Sequence, residues 1–115
     1  MVILQAWNVE YDKESELERD VGLFFQANGL FCQRFPKIHS RGDRKMQGPL
    51  NLNGSPDLYV IKNGRFYGVE IKLPKSRQSS EQTEFERLLR GSGANYFIVK
   101  SLEDAANVLR AIKAI

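Results

Sequence analysis

The chain has one cysteine, Cys32, and one histidine, His39, among its 115 residues. A single cysteine excludes an internal disulfide framework and any zinc cluster built on cysteines. A single histidine gives little support to a His-Asp/Glu triad or a histidine-based metal site. No apolar run approaches the roughly 20 residues of a membrane span. The opening Met-Val-Ile-Leu-Gln-Ala-Trp has no basic n-region, so no signal peptide is expected. A reducing cytoplasm, bacterial or viral, is the expectation. There is no internal repeat, linker or low-complexity tract, so residues 1–115 read as one domain.

What is present is ordinary globular composition, with 42% hydrophobic and 27% charged residues. A chain of this length buries about 60–70% of its unfolded surface and needs no staples. The net charge of +3 hides a split. Residues 31–79 hold ten Lys/Arg against three Asp/Glu, and the remainder holds seven against eleven. A basic middle suggests a face that meets an anion, with nucleic acid the first suspect. A surface that merely happens to be lysine-rich is the other reading.

Hydrophobic periodicity predicts a helix over 12–28, with Leu17, Val21, Phe24 and Phe25 as its apolar stripe and Gly29 at its end. A strand is expected over 30–38, weakened at its far end by Pro36. Residues 39–56 read as a long polar loop. Strands follow at 57–62 and 65–72, joined by Asn63-Gly64, a dipeptide suited to the two positive φ angles of a type I′ turn. A second helix is expected over 80–90, capped by Ser79 or Ser80 and ended by Gly91. A strand over 95–100 and a helix over 102–112, with Ser101 as N-cap, complete the chain. The order α-β-β-β-α-β-α implies an α/β domain, a central mixed sheet flanked by helices.

A two-residue turn at Asn63-Gly64 fixes a register in which paired positions sum to 127. Asp57 and Glu70 then oppose each other, with Cβ atoms about 4.5–5.5 Å apart on one face. Lys72 lies two residues beyond Glu70 and points to the same face. Opposed carboxylates repel unless something positive sits between them. A divalent cation such as Mg²⁺, which takes one or two carboxylates plus water and phosphate oxygens, is the natural partner. Lys72 would then orient the attacking water or offset charge building on a phosphate. The plainer alternatives are a Pro-Asp turn that begins a strand and a lysine that neutralises two acids.

These residues also carry a resemblance. Gly54-Ser55-Pro56-Asp57-Leu58, then Glu70-Ile71-Lys72, then Ser79-Ser80-Glu81-Gln82, resembles the PD-(D/E)XK nuclease superfamily. Within it, the chain is most similar to the virus-type replication-repair nuclease domain, VRR-NUC, from about Glu14 to the last helix. The resemblance implies a restriction-endonuclease-like fold and Mg²⁺- or Mn²⁺-dependent hydrolysis of DNA phosphodiesters. Stand-alone phage and bacterial members are associated with cutting four-way (Holliday) junctions as homodimers. The fused eukaryotic member, the Fanconi-associated nuclease, acts as a monomer on flaps and crosslink intermediates. The resemblance thus implies a DNA-repair endonuclease in a bacterial cell or phage-infected host. It makes Asp57, Glu70 and the carbonyl of Ile71 metal ligands, Lys72 the catalytic lysine and Gln82 a supporting glutamine. A flap, nicking or restriction-like nuclease, or an inactive DNA-binding module, is the alternative.

The family also places an acid on the first helix, either Glu14 or Glu18. Measured from Leu17, Glu14 falls at about 60°, inside the apolar stripe, and Glu18 at about 100°, outside it. Glu14 is therefore the expected inward acid, with a dipole-stabilising helix start as the competing explanation. Gln82 also fits a capping box with Ser79, and the two roles are compatible. Phosphate contacts are expected from Arg41, Arg44, Lys45, Lys75 and Arg77, with Arg34 and Lys37 as further candidates. His39 either touches phosphate or faces solvent. Trp7 and Val2-Ile3-Leu4 belong to the core or to a contact between copies.

Overall fold

The computed structural model describes residues 9–36 and 53–114. Its elements are α1 (Glu14–Ala27), β1 (Phe31–Arg34), β2 (Leu58–Lys62), β3 (Arg65–Ile71), α2 (Ser80–Gly91), β4 (Asn95–Val99) and α3 (Leu102–Lys113). The expected α/β order holds throughout. The strands form one sheet in the order β1-β2-β3-β4, antiparallel except for the parallel β3–β4 pair. Among the described residues, no helix is long and apolar enough to cross a membrane.

The hairpin behaves as its turn dictates. Asn63 and Gly64 both have positive φ, 53° and 76°. Lys62 pairs with Arg65, and the register runs back to Leu58 opposite Val69. β1 is shorter than the sequence suggests, because Pro36 has no N–H to continue the ladder. One further bond, Phe35 N–H to the Asp57 carbonyl at 2.9 Å, holds the chain against the start of β2.

Side chains alternate across the sheet, so one face carries Cys32, Leu58, Val60, Tyr67, Val69, Ile71 and Val99. α1 covers this face with Leu17, Val21, Phe24 and Phe25, and α3 with Leu102, Ala105, Ala106, Leu109 and Ile112. Each fully buried large side chain contributes about 1.5–3 kcal/mol, so this layer is the main source of stability. Burial pushes the Cys32 thiol up to about 11, which leaves it a core residue with little thiolate character.

The opposite face carries Tyr59, Phe66, Gly68, Glu70 and Tyr96 and receives α2. A side chain at Gly68 would begin 3.0 Å from Pro56 Cγ and 3.3 Å from Leu89 Cδ1, so its absence lets both close on β3. α2 has an apolar edge but no fully buried residue. Phe85 reaches Phe35 edge-on at 6.1 Å, and Phe35 meets Tyr59 at 5.5 Å. α2 takes in Gly91 as its last residue, one beyond the expected 80–90. It closes through Gly93 N–H to the Arg90 carbonyl and Ala94 N–H to the Leu89 carbonyl, the paired bonds of a Schellman turn.

Candidate active site

Asp57 stands where β2 begins, one position before the regular ladder. Its carboxylate accepts the Ile71 N–H at 2.8 Å, which ties the start of β2 to the end of β3. Gly54 explains how the preceding loop reaches this place. It has φ +81°, and a Cβ there would sit 2.3 Å from the Glu81 carbonyl oxygen. The loop backbone therefore lies directly against the first turn of α2. This contact brings the Gly-Ser-Pro-Asp segment and the Ser-x-x-Gln segment together.

Glu70 is 1% exposed, although it is a carboxylate. Its Oε2 accepts the Gln82 side-chain N–H at 2.9 Å, and its Oε1 accepts the Tyr96 hydroxyl at 3.4 Å. Gln82 is at the same time the third residue of the α2 capping box. Its Oε1 accepts the Ser79 N–H at 2.8 Å, while the Ser79 hydroxyl accepts the Gln82 N–H at 3.1 Å. The two roles reinforce each other. A backbone donor holds the amide oxygen, so the amide NH₂ must face Glu70.

Lys72 continues the β3–β4 ladder through its N–H to the Val99 carbonyl at 3.0 Å. Its side chain is only 8% exposed. No ion pair among the described residues involves Lys72, so the neutralising salt bridge is not formed.

The two candidate acids of α1 part company. Glu14 Oε2 accepts the Leu73 N–H at 3.4 Å, next to Lys72. Glu18 lies one turn on and pairs with Arg34 at 2.8 Å, beside β1. Arg34 is thereby engaged with Glu18. Lys75 and Arg77 are exposed in the β3–α2 connection, where a turn from Leu73 to Ser76 carries the chain past Lys72. Lys37, His39, Arg41, Arg44 and Lys45 lie outside the described residues, as do Trp7 and Val2-Ile3-Leu4.

Comparison of the sequence with protein-family models gives no match, and comparison with curated proteins gives none either. Solved structures do match. One described as a VRR_NUC domain shares 22% identity over 84% of this chain and 94% of its own, with a TM-score of 0.64. Another, described as a VRR_NUC domain protein, shares 18% identity over 90% of each chain, with a TM-score of 0.71. The chain has the VRR-NUC fold.

Within this VRR-NUC fold, the donor set suits a hard divalent cation. Asp57 and Glu70 supply carboxylate oxygens. Ile71 directs its N–H toward Asp57, and in an extended strand its carbonyl leaves on the same side, beyond the last β2 pair. Two carboxylates and a carbonyl, with the remaining positions left to water and phosphate, match the ordinary Mg²⁺ requirement. Among the described residues, no three His, Cys, Asp or Glu side chains gather to hold a metal. Neither α1 acid therefore enlarges the pair into a three-side-chain cluster.

Two residues beside Glu70 were not singled out from the sequence, Tyr96 on β4 and Gln78 just before α2. The Gln78 side-chain nitrogen donates to the Tyr96 hydroxyl at 3.0 Å and to Glu86 Oε1 at 3.1 Å. Glu86 in turn accepts from Arg90 at 2.8 Å. Burial, and then the charge of Glu70, push the Tyr96 hydroxyl well above the ordinary tyrosine range.

Proposed function

We propose that the protein is a Mg²⁺- or Mn²⁺-dependent endonuclease that hydrolyses phosphodiester bonds in branched DNA and resolves four-way junctions as a homodimer. The observation that carries the reading is the buried Glu70 carboxylate, held by Gln82, on the strand that leads through Ile71, whose amide binds Asp57, to Lys72. The VRR-NUC fold supports the nuclease class.

Asp57, Glu70 and the Ile71 carbonyl would hold Mg²⁺ or Mn²⁺, which would supply Lewis-acid polarisation of a phosphoryl oxygen and a more acidic water. The protein's part is to hold the donors still. The Ile71 amide fixes the Asp57 carboxylate, and the Gln82 amide fixes Glu70. Lys72 offers a positive charge to the phosphate oxygens as they gain negative charge during in-line attack by water. Its limited exposure keeps that charge from being fully screened. Glu14 lies at the turn after Lys72 and shapes this side of the site. Exposed Lys75 and Arg77, with Arg41, Arg44 and Lys45, supply phosphate contacts that carry affinity without sequence information.

The contrast between the α1 acids is testable. Glu14→Gln is expected to lower the single-turnover cleavage rate by about tenfold or more, as loss of a group supporting the site does. Glu18→Gln is expected to change it less than about twofold, because its pairing with Arg34 lies beside β1 and not at the turn after Lys72.

One chain holds one such site, and a junction is resolved by two symmetric cuts, so two copies are part of the reading. The apolar side chains left open on the α2 side of the sheet, Phe31, Ile61 and Leu88, suit coverage by a second copy. The test is to incubate the protein with a four-way junction, a flap and a linear duplex, with and without Mg²⁺, beside a sedimentation measurement of mass. Paired symmetric nicks across the junction by a dimer are expected. A single incision near a flap makes it a flap nuclease. No metal-dependent cutting of any substrate removes the enzyme reading, and activity retained in Asp57→Ala or Glu70→Ala removes the site assignment.

A further inference from the structure

Glu70 has two carboxylate oxygens, and Gln82 engages only one of them. The other faces the Tyr96 hydroxyl, whose own direction follows from its neighbours. Glu86 is ion-paired with Arg90 and accepts as a carboxylate, so the end of the Gln78 amide that meets it must be the NH₂. That nitrogen has two hydrogens. One goes to Glu86, and the other goes to the Tyr96 oxygen. The hydroxyl therefore accepts from Gln78 and keeps a single proton to give. Glu70 Oε1, at 3.4 Å, is positioned to receive it.

We propose that Tyr96, aimed by Gln78, is a positioning residue that fixes the orientation of the Glu70 carboxylate for a divalent cation. This rests on Glu70 being the metal ligand of the site proposed above. Gln82 engages one carboxylate oxygen, and rotation about the bond that carries both oxygens is limited most when each has its own donor. The donor on the other oxygen comes from the parallel neighbour strand. At 3.4 Å the bond is long for O–H···O, so it orients more than it stabilises. The ring does separate work. It is 2% exposed, it closes against Gly68 with Cδ2 3.4 Å from where a Cβ would stand, and Arg90 lies 5.8 Å over its face. Replacing tyrosine by phenylalanine keeps all of this and removes only the hydroxyl.

The test uses Tyr96→Phe and Gln78→Met in the full chain, with Mn²⁺ titrated by calorimetry in the absence of DNA and thermal melting followed without metal. Tyr96→Phe is expected to bind Mn²⁺ about tenfold more weakly, the usual loss when a group that orients a metal ligand is removed. Its melting temperature should stay within a few degrees of the parent. Gln78→Met leaves the hydroxyl in place but unaimed, so a smaller loss in the same direction is expected. Mn²⁺ affinity within twofold of the parent in Tyr96→Phe overturns the proposal. So does a loss that appears only together with a collapse in melting temperature, since that marks a packing role. If Tyr96→Phe fails to fold, an unchanged affinity in Gln78→Met overturns it. A parent protein that binds no Mn²⁺ overturns the metal reading itself, a result distinct from equal binding by parent and variant.

Discussion

Glu70→Gln is expected to abolish cleavage and to leave the fold intact. The substitution keeps the side chain's size and removes its charge. Glu70 is 1% exposed, so the parent bears the desolvation of a carboxylate, offset in part by the donors Gln82 and Tyr96. Removing the charge relieves that burden. One of the two donors must then face an amide NH₂ and lose its acceptor, which offsets part of the relief. The net change in stability is expected within about 1 kcal/mol of zero, in either direction. The change in activity is of another order. If Glu70 holds the cation as proposed, a charged ligand that contributes several kcal/mol of transition-state stabilisation is lost, which corresponds to a loss of about a thousandfold or more. Single-turnover cleavage with Mg²⁺ and a melting curve without it check the two halves. Substantial residual cleavage excludes Glu70 as a ligand. A large fall in melting temperature makes it a structural residue.

Gly54→Ala is the second large effect, and it acts through backbone. The residue has φ +81°, which disfavours any side chain by about 1–2 kcal/mol. The new methyl would also start 2.3 Å from the Glu81 carbonyl and 2.9 Å from the Gln82 nitrogen, both backbone atoms. Neither can turn aside as a side-chain tip would, so the loop or α2 must move. A combined loss of about 2–4 kcal/mol is expected, a large share of a small domain's total. The displacement falls on the turn that carries Gln82. Cleavage should therefore drop further than the unfolded fraction alone explains, which activity measured well below the melting temperature will show. Alanine at Gly91, where a Cβ meets nothing within 4 Å, is the matched control.

The parts of the site that the sequence discloses are those set by local rules. Asn63-Gly64 allows one tight turn, and a tight turn fixes the register, so counting back from it brings Asp57 and Glu70 together. The structural ladder stops one step short, at Leu58 and Val69, and Asp57 turns to the Ile71 amide. Helix periodicity separates Glu14 from Glu18 in the same way, and the two acids point to different neighbours. Gln82 carries a capping signal and an inward position, and both are realised.

What sequence does not disclose depends on distant pairing. Tyr96 sits in an apolar run that reads as an ordinary core strand. β4 is parallel to β3 and joined through α2, so no turn sets its register. Nothing local announces that residue 96 will stand beside Glu70 rather than one step away. Gln78 lies just outside the helix, where periodicity has no reach. The end of α2 differs by one residue for a smaller reason. Gly91 and Gly93 both suit a helix terminus, and only the pair of bonds from Gly93 and Ala94 to the last turn decides between them.

The shallow seating of α2 has a consequence for the working protein. The helix that carries Gln82 has no fully buried residue, while α1 and α3 are anchored in the core. Elements with little buried surface open first, at a free energy below that of global unfolding. Each such excursion withdraws the amide from Glu70 and leaves the sheet, α1 and α3 folded. Such an excursion would be a folded but incompetent form, and the affinity for the proposed cation would be scaled by the fraction of time α2 is seated. A cation that draws Glu70 into place favours the seated form. Backbone amides of α2 should therefore exchange with solvent faster than those of α3 without metal, and slow selectively when Mn²⁺ is added.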